Sequence, residues 1–268
     1  MKDDRRLKGE AVKQFIKNNF KPHLDCAHFI LNTAISITDE SNLLGDISLS
    51  QQVITVLHTK AITTFQAIIT LCEEGFDKDA ITLVRSLMEI DFMVTCILKG
   101  DAEDISKYYI YCELLQREKY RNTNIKNLDE SQLEKTKESL EKLKREVPDE
   151  DKKYIEKDNP FNKSIRYIAE KAGKTDRYDI FYRYFSFYPH STPASLNKYL
   201  KGNMDNSLKL KPGRAFEKIE EALRYGCILY MEVLERWCSH LSLDREEKRR
   251  KPMREQYTSV FEKKDLTR

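Results

Sequence analysis

Two short stretches put charged side chains where the surrounding pattern calls for apolar ones. The first is Arg85-Ser86-Leu87-Met88-Glu89. Arg85 interrupts an apolar stripe at Ile81, Met88 and Phe92, and Glu89 follows one turn on. Burying such charges unpaired is costly, so each needs a partner. Arg before Glu is also the poorer order for a plain helix ion pair. The second stretch is Tyr182-Arg183-Tyr184-Phe185-Ser186-Phe187-Tyr188-Pro189-His190. Arg183, Ser186 and His190 are spaced three and four, which lines up one face of a continuous helix. Pro189 disfavours the helical conformation at Tyr188, so His190 is expected at or just beyond a kink. An imidazole can carry protons and a guanidinium can hold an anion. A hydrogen-bonded core histidine and a structural ion network fit the same residues.

The elements that must position these groups read as helices. Only eight Gly and seven Pro punctuate 268 residues, too few for the many tight turns of a sandwich or barrel. Forty per cent apolar and 34% charged is the balance of a folded chain with a heavily solvated surface. The first forty residues suggest two short helices broken at Pro22. Ile54, Leu57, Ala61, Phe65, Ile68 and Cys72 follow helical spacing, with Gly75 as the stop and Asp77 as a candidate N-cap for the next helix. In that next helix Ala80, Leu83, Leu87, Ile90, Val94 and Ile97 form one stripe, and Ile81, Met88, Phe92 and Cys96 a second. A helix apolar on most sides is surrounded by other helices. Gly100 ends it, and Asp101 to Asp104 start a third.

Residues 117 to 157 carry 12 Lys/Arg and 11 Asp/Glu, which suits an exposed helical arm with one narrow apolar seam. After Asn159-Pro160 comes a segment with seven aromatics between Asp176 and Tyr188, and Thr192-Pro193 signals a restart. The last long helix carries Phe216, Ile219, Leu223, Gly226, Tyr230, Val233 and Trp237 on one face. From Asp244 a basic tail is expected to fray. The expected architecture is an all-α bundle of long antiparallel helices with an inserted charged arm. Its parts are N-terminal short helices 1–44, a bundle domain 45–243 with the insertion at 117–158, and the tail 244–268.

Several classes are not favoured. The charged N-terminus leads into no apolar segment, and no window reaches about 18 charge-free apolar residues, so a cytoplasmic chain without a membrane span is expected. The six cysteines fit reduced core positions. His23-Leu24-Asp25-Cys26-Ala27-His28 is the nearest approach to a metal pattern, but no second ligand pair accompanies it, and neither metal nor cofactor is expected.

The two polar stretches also carry a resemblance. Arg85, Ser86, Leu87 and Glu89, followed about a hundred residues later by Tyr182, Ser186 and His190, resemble a bacterial family catalogued as domain-of-unknown-function family 5677, over roughly residues 50 to 240. That family implies no activity. Arg183 and His190 are also similar to the Arg-x(4–6)-His motif of the HEPN ribonucleases, metal-independent enzymes on helical bundles found in bacterial toxin and phage-defence systems. This similarity implies an endoribonuclease with His190 as general acid/base and Arg183 as phosphate clamp. Tyr182 and Ser186 would orient the substrate, and Arg85 and Glu89 would position the imidazole. It further implies RNA as partner and a homodimer. The departures are Tyr184, where a small polar residue commonly follows the Arg, and Pro189 within the element. Two other functions remain open on the residues alone. One is a non-catalytic helical module that binds a protein partner through the charged arm or basic tail. The other is a sensor of an anionic ligand at Arg85, Arg183 and His190.

Overall fold

A computed structural model describes residues 2–41, 47–122, 138, 141–142, 145, 164–189, 200–202, 208–210, 214–243 and 247–262. The fold is an all-α bundle of long helices. Its helices are α1 (Lys2–Asn19), α2 (Lys21–Glu40), α3 (Leu49–Glu74), α4 (Asp77–Lys99), α5 (Ala102–Asn122) and α6 (Ile165–Lys171). Next comes α7, built from Thr175–Arg177, a π-helical turn Tyr178–Tyr182 and Arg183–Phe185, followed by α8 (Ile219–His240) and α9 (Glu247–Tyr257), which continues as a π turn over Thr258–Glu262. Two three-residue strands, β1 (Leu200–Gly202) and β2 (Leu208–Leu210), pair antiparallel with Leu200 opposite Leu210. The chain divides into two compact units, one of Met1–Gly45, Thr55–Asp91 and Asp176–Arg268, the other of Asp46–Ile54 and Phe92–Thr175.

The apolar face of α3 read from sequence is the face that packs. Ile54, Leu57, Ala61, Phe65, Ile68 and Cys72 are all buried. Phe65 stacks on Tyr230 of α8 with centroids 4.8 Å apart, and Gly226 allows α8 to lie close, since an added Cβ would stand 3.4 Å from Phe65 and Ile68. Trp237 Nε1 donates to Thr55 Oγ1 at 3.0 Å. By length and composition alone α3 is apolar enough to cross a membrane.

Gly75 ends α3 in a left-handed turn at φ 79°. Its N–H bonds the Cys72 carbonyl at 3.1 Å and the Phe76 N–H bonds the Leu71 carbonyl at 2.8 Å, a pairing that satisfies the last carbonyls of the helix. The same pattern closes α8, where Ser242 takes the left-handed position at φ 56°. Asp77, the candidate cap for α4, is the buried first residue of that helix and accepts from the Lys218 backbone N–H at 2.9 Å, so it also serves the start of α8.

Three expectations are corrected here. The first two helices are long, and Pro22 lies in the first turn of α2, where its missing N–H costs no bond. Phe216 precedes α8 and packs on Phe15 in a tilted pair with centroids 4.5 Å apart, while both side chains stay partly exposed. The basic tail does not fray over its described part. It folds as α9, burying Arg250, Met253, Tyr257 and Phe261, with Phe261 5.1 Å from His23 and Arg249 paired to Glu40 at 2.8 Å.

The second unit has its own capping logic. Asp101 Oδ1 accepts the N–H groups of Glu103 and Asp104, both at 3.0 Å, and so starts α5. Glu103 in turn accepts from Leu49 and Ser50 at 3.1 and 3.0 Å, which caps the start of α3. The charged stretch beyond Asn122 falls almost entirely outside the described residues.

Candidate functional site

Three of the residues singled out from sequence meet in one place. Arg85 and Glu89 lie on adjacent turns of α4, and Tyr182 reaches them from α7. The Arg85 guanidinium donates to the Tyr182 hydroxyl at 2.7 Å, and that hydroxyl donates to Glu89 Oε1 at 2.7 Å. Arg85 and Glu89 also pair directly at 3.2 Å. The guanidinium lies 4.9 Å from the centroid of the Tyr182 ring, a cation–π distance, and Tyr178, one turn earlier on α7, stacks on the same ring at 4.9 Å. Tyr182 is buried while its two partners are about a quarter exposed. Burial and the bond to Glu89 push its phenol up to about 12, against the opposing pull of Arg85.

Arg183 and Ser186 take no side-chain part in this triad. Ser186 does not face a cleft with Arg183; its hydroxyl donates back to the Tyr182 carbonyl at 2.7 Å. Arg183 is 68% exposed and has a long 3.8 Å pairing with Asp179 on its own helix. The break expected at Pro189 comes earlier: the helix ends at Phe185, and 186–189 form turns. The restriction that Pro189 imposes on Tyr188 accounts for the early stop. His190 lies outside the described residues.

A second polar network adjoins the first in sequence and was not legible as a site. Asp91, fully buried on α4, meets Arg236 of α8 at 2.7 Å and Arg177 of α7 at 3.7 Å. Glu232 takes Arg177 in a two-pronged pair at 2.7 and 2.6 Å and accepts Arg236 at 3.3 Å. Two acids thus face two arginines, and the forked guanidinium geometry suits both. One signal could have revealed it. Asp91 sits between Ile90 and Phe92 in a stripe with no room for an unpaired charge, the argument already applied to Arg85. Together the two networks pin α7 at Arg177 and at Tyr182.

The aromatic residues of α7 pack onto α8. Phe181 and Phe185 lie 5.1 and 5.2 Å from Tyr225, and Lys218 Nζ donates to Tyr184 at 2.8 Å. Tyr184 and Tyr188 share a bond at 3.3 Å, and burial together with that bond pushes the Tyr188 phenol well up.

His23, Cys26 and His28 disperse. His23 packs on Phe261, Cys26 adjoins Cys227, and His28 bonds Glu73 at 2.8 Å. Among the described residues there is no cluster of three or more His, Cys, Asp or Glu that could hold a metal.

Fold and site together define an all-α bundle in which part-buried polar networks join α4, α7 and α8. The chain belongs to the family of unknown function DUF5677, whose profile matches residues 51–207 and so covers Arg85, Glu89 and the whole of α7. No curated protein and no solved structure matches it.

Proposed function

We propose that this chain is a HEPN-like, metal-independent endoribonuclease of bacterial defence or toxin type. His190 takes the proton from a ribose 2′-OH as that oxygen attacks the adjacent phosphorus, and a protonated imidazole supplies a proton to the leaving 5′-oxygen. The products are a 2′,3′-cyclic phosphate and a 5′-hydroxyl. Arg183 holds the non-bridging oxygens, where negative charge grows in the transition state.

One observation carries this reading. Arg183 follows directly on Tyr182, which is buried and bonded on both sides, so an exposed, always-charged guanidinium sits on a rigid element. The triad Arg85–Tyr182–Glu89 then acts by positioning, and its members are already engaged with one another rather than with substrate. The test is cleavage of single-stranded RNA in EDTA by the wild type and by His190→Ala. Cleavage by the wild type alone is expected. Equal activity in both, or none in either, overturns the proposal.

A second reading, a non-catalytic helical interaction module, is favoured by the mutual engagement of Arg85, Glu89 and Tyr182. It predicts no RNA cleavage, and a lowered Tm as the sole consequence of Arg85→Ala.

A further inference from the structure

A cavity of about 300 Å³ opens in the first unit where α4, α7, α8 and α9 meet. That is the lower end of small-molecule sites, which run from about 300 to 1,000 Å³. Its walls are aromatic and apolar. Phe181 and Tyr225 form a tilted pair with centroids 5.1 Å apart, Tyr257 contributes a third ring, and Met88 adds a soft, adaptable surface.

Its charges are few and of both signs. Arg177 borders the cavity, but Glu232 holds its guanidinium by two bonds, so its charge is already matched. That leaves Arg224 and Glu262. Both line the cavity beside Tyr257, and each is near enough to act on its phenol in opposite senses, so a cation and an anion flank one point of the wall. Neither forms an ion pair with a side chain among the described residues.

From this geometry we infer that the cavity binds a free aromatic α-amino acid. Arg224 takes its carboxylate, Glu262 its ammonium group, and the Phe181–Tyr225 wall its side-chain ring. The volume and the pairing of charges together favour this class. A purely apolar ligand would use neither charge, and a simple anion would face Glu262. Met88 and Phe181 immediately precede Glu89 and Tyr182 in the chain. An occupied cavity therefore packs against the same two helices that carry the triad. The inference does not depend on the nuclease reading.

The experiment is calorimetric titration of the full chain with L-tryptophan and L-phenylalanine, alongside tryptamine, which lacks the carboxylate, and indole-3-propionate, which lacks the ammonium group. At least one amino acid is expected to bind at millimolar concentration or tighter. Each analogue should bind at least about tenfold more weakly, because a site built around paired polar groups rejects ligands that leave them unpaired. Arg224→Gln and Glu262→Gln should each weaken binding by a similar factor. Glu262 is exposed, so its variant preserves the fold even if Arg224→Gln does not. No binding of either amino acid, an analogue that binds as tightly as L-tryptophan, or a folded variant that binds like the wild type would overturn the inference.

Discussion

The hydroxyl of Tyr182 on α7 donates to the carboxylate of Glu89 on α4 at 2.7 Å, and Arg85 donates to the same hydroxyl from the neighbouring turn. A single buried oxygen thus joins two helices as acceptor and as donor. Tyr182→Phe removes it while leaving Arg85 and Glu89 their 3.2 Å pair. The expected cost is about 1–2 kcal/mol, read as a lowered midpoint in urea unfolding. Because the folded phenol is raised to about 12 from about 10 in the unfolded chain, its contribution is complete below pH 10. It is lost as pH rises through 12. Tyr182→Phe should therefore flatten the alkaline limb of the stability profile. An unchanged limb would contradict this account of the triad.

His58 gives the opposite sign. It is buried against Trp237 with ring centroids 4.2 Å apart, and neither ring nitrogen has a hydrogen-bond partner among the described residues. Burial pulls it down to about 3, from about 6.5 when unfolded. Its neutral form therefore supports the fold above pH 6.5, and the support drains away as pH falls toward 3. Trp237 is the chain's single tryptophan and reports directly on this neighbour. Fluorescence-monitored unfolding of His58→Leu should show less loss of stability between pH 6.5 and 3 than the wild type.

The Asp91 network should be the most sensitive point of the first unit. Asp91 is fully buried between two arginines. Asp91→Ala leaves Arg177 and Arg236 sharing Glu232 alone, at an expected cost of about 1.5–3 kcal/mol. Circular dichroism melts would register this as a much larger fall in Tm than for Arg183→Ala, whose side chain is mostly in solvent.

The two left-handed helix ends separate in a further test. Ser242→Gly relieves a non-glycine residue at φ 56° and should stabilise by about 1 kcal/mol. Gly75→Ala should do the reverse, since φ is 79° and the new Cβ would stand 3.1 Å from Arg214 Cβ. Denaturant midpoints moving in the same direction for both variants would refute this account of the helix ends.

Apolar spacing made the helices legible, because the face of α3 that buries Ile54 through Cys72 is written at period 3.6. It also marked Arg85 and Glu89 as charges needing partners, and a buried one in Tyr182 was found. The same spacing could not foresee that Ser186 would turn back on its own helix or that α7 would stop at Phe185. Those outcomes depend on the π turn at Tyr178–Tyr182 and on Pro189, which change which residues share a face. The Arg177–Glu232 and Asp91–Arg236 pairs join positions far apart in the chain, and no local period encodes them. The fold of α9 is likewise set by long-range burial of Met253, Tyr257 and Phe261 and not by its charge pattern, which reads as solvated.

The most direct test of the proposed activity is the rate of RNA cleavage in EDTA by the wild type, Arg183→Lys and Arg183→Ala, with Tm measured on each. Arg183 is exposed, so all three should melt alike. The account predicts that Arg183→Ala loses about 100-fold or more in rate, while Arg183→Lys, which keeps the charge without the fork, falls between. Cleavage by Arg183→Ala at the wild-type rate, or no cleavage by the wild type, would contradict it.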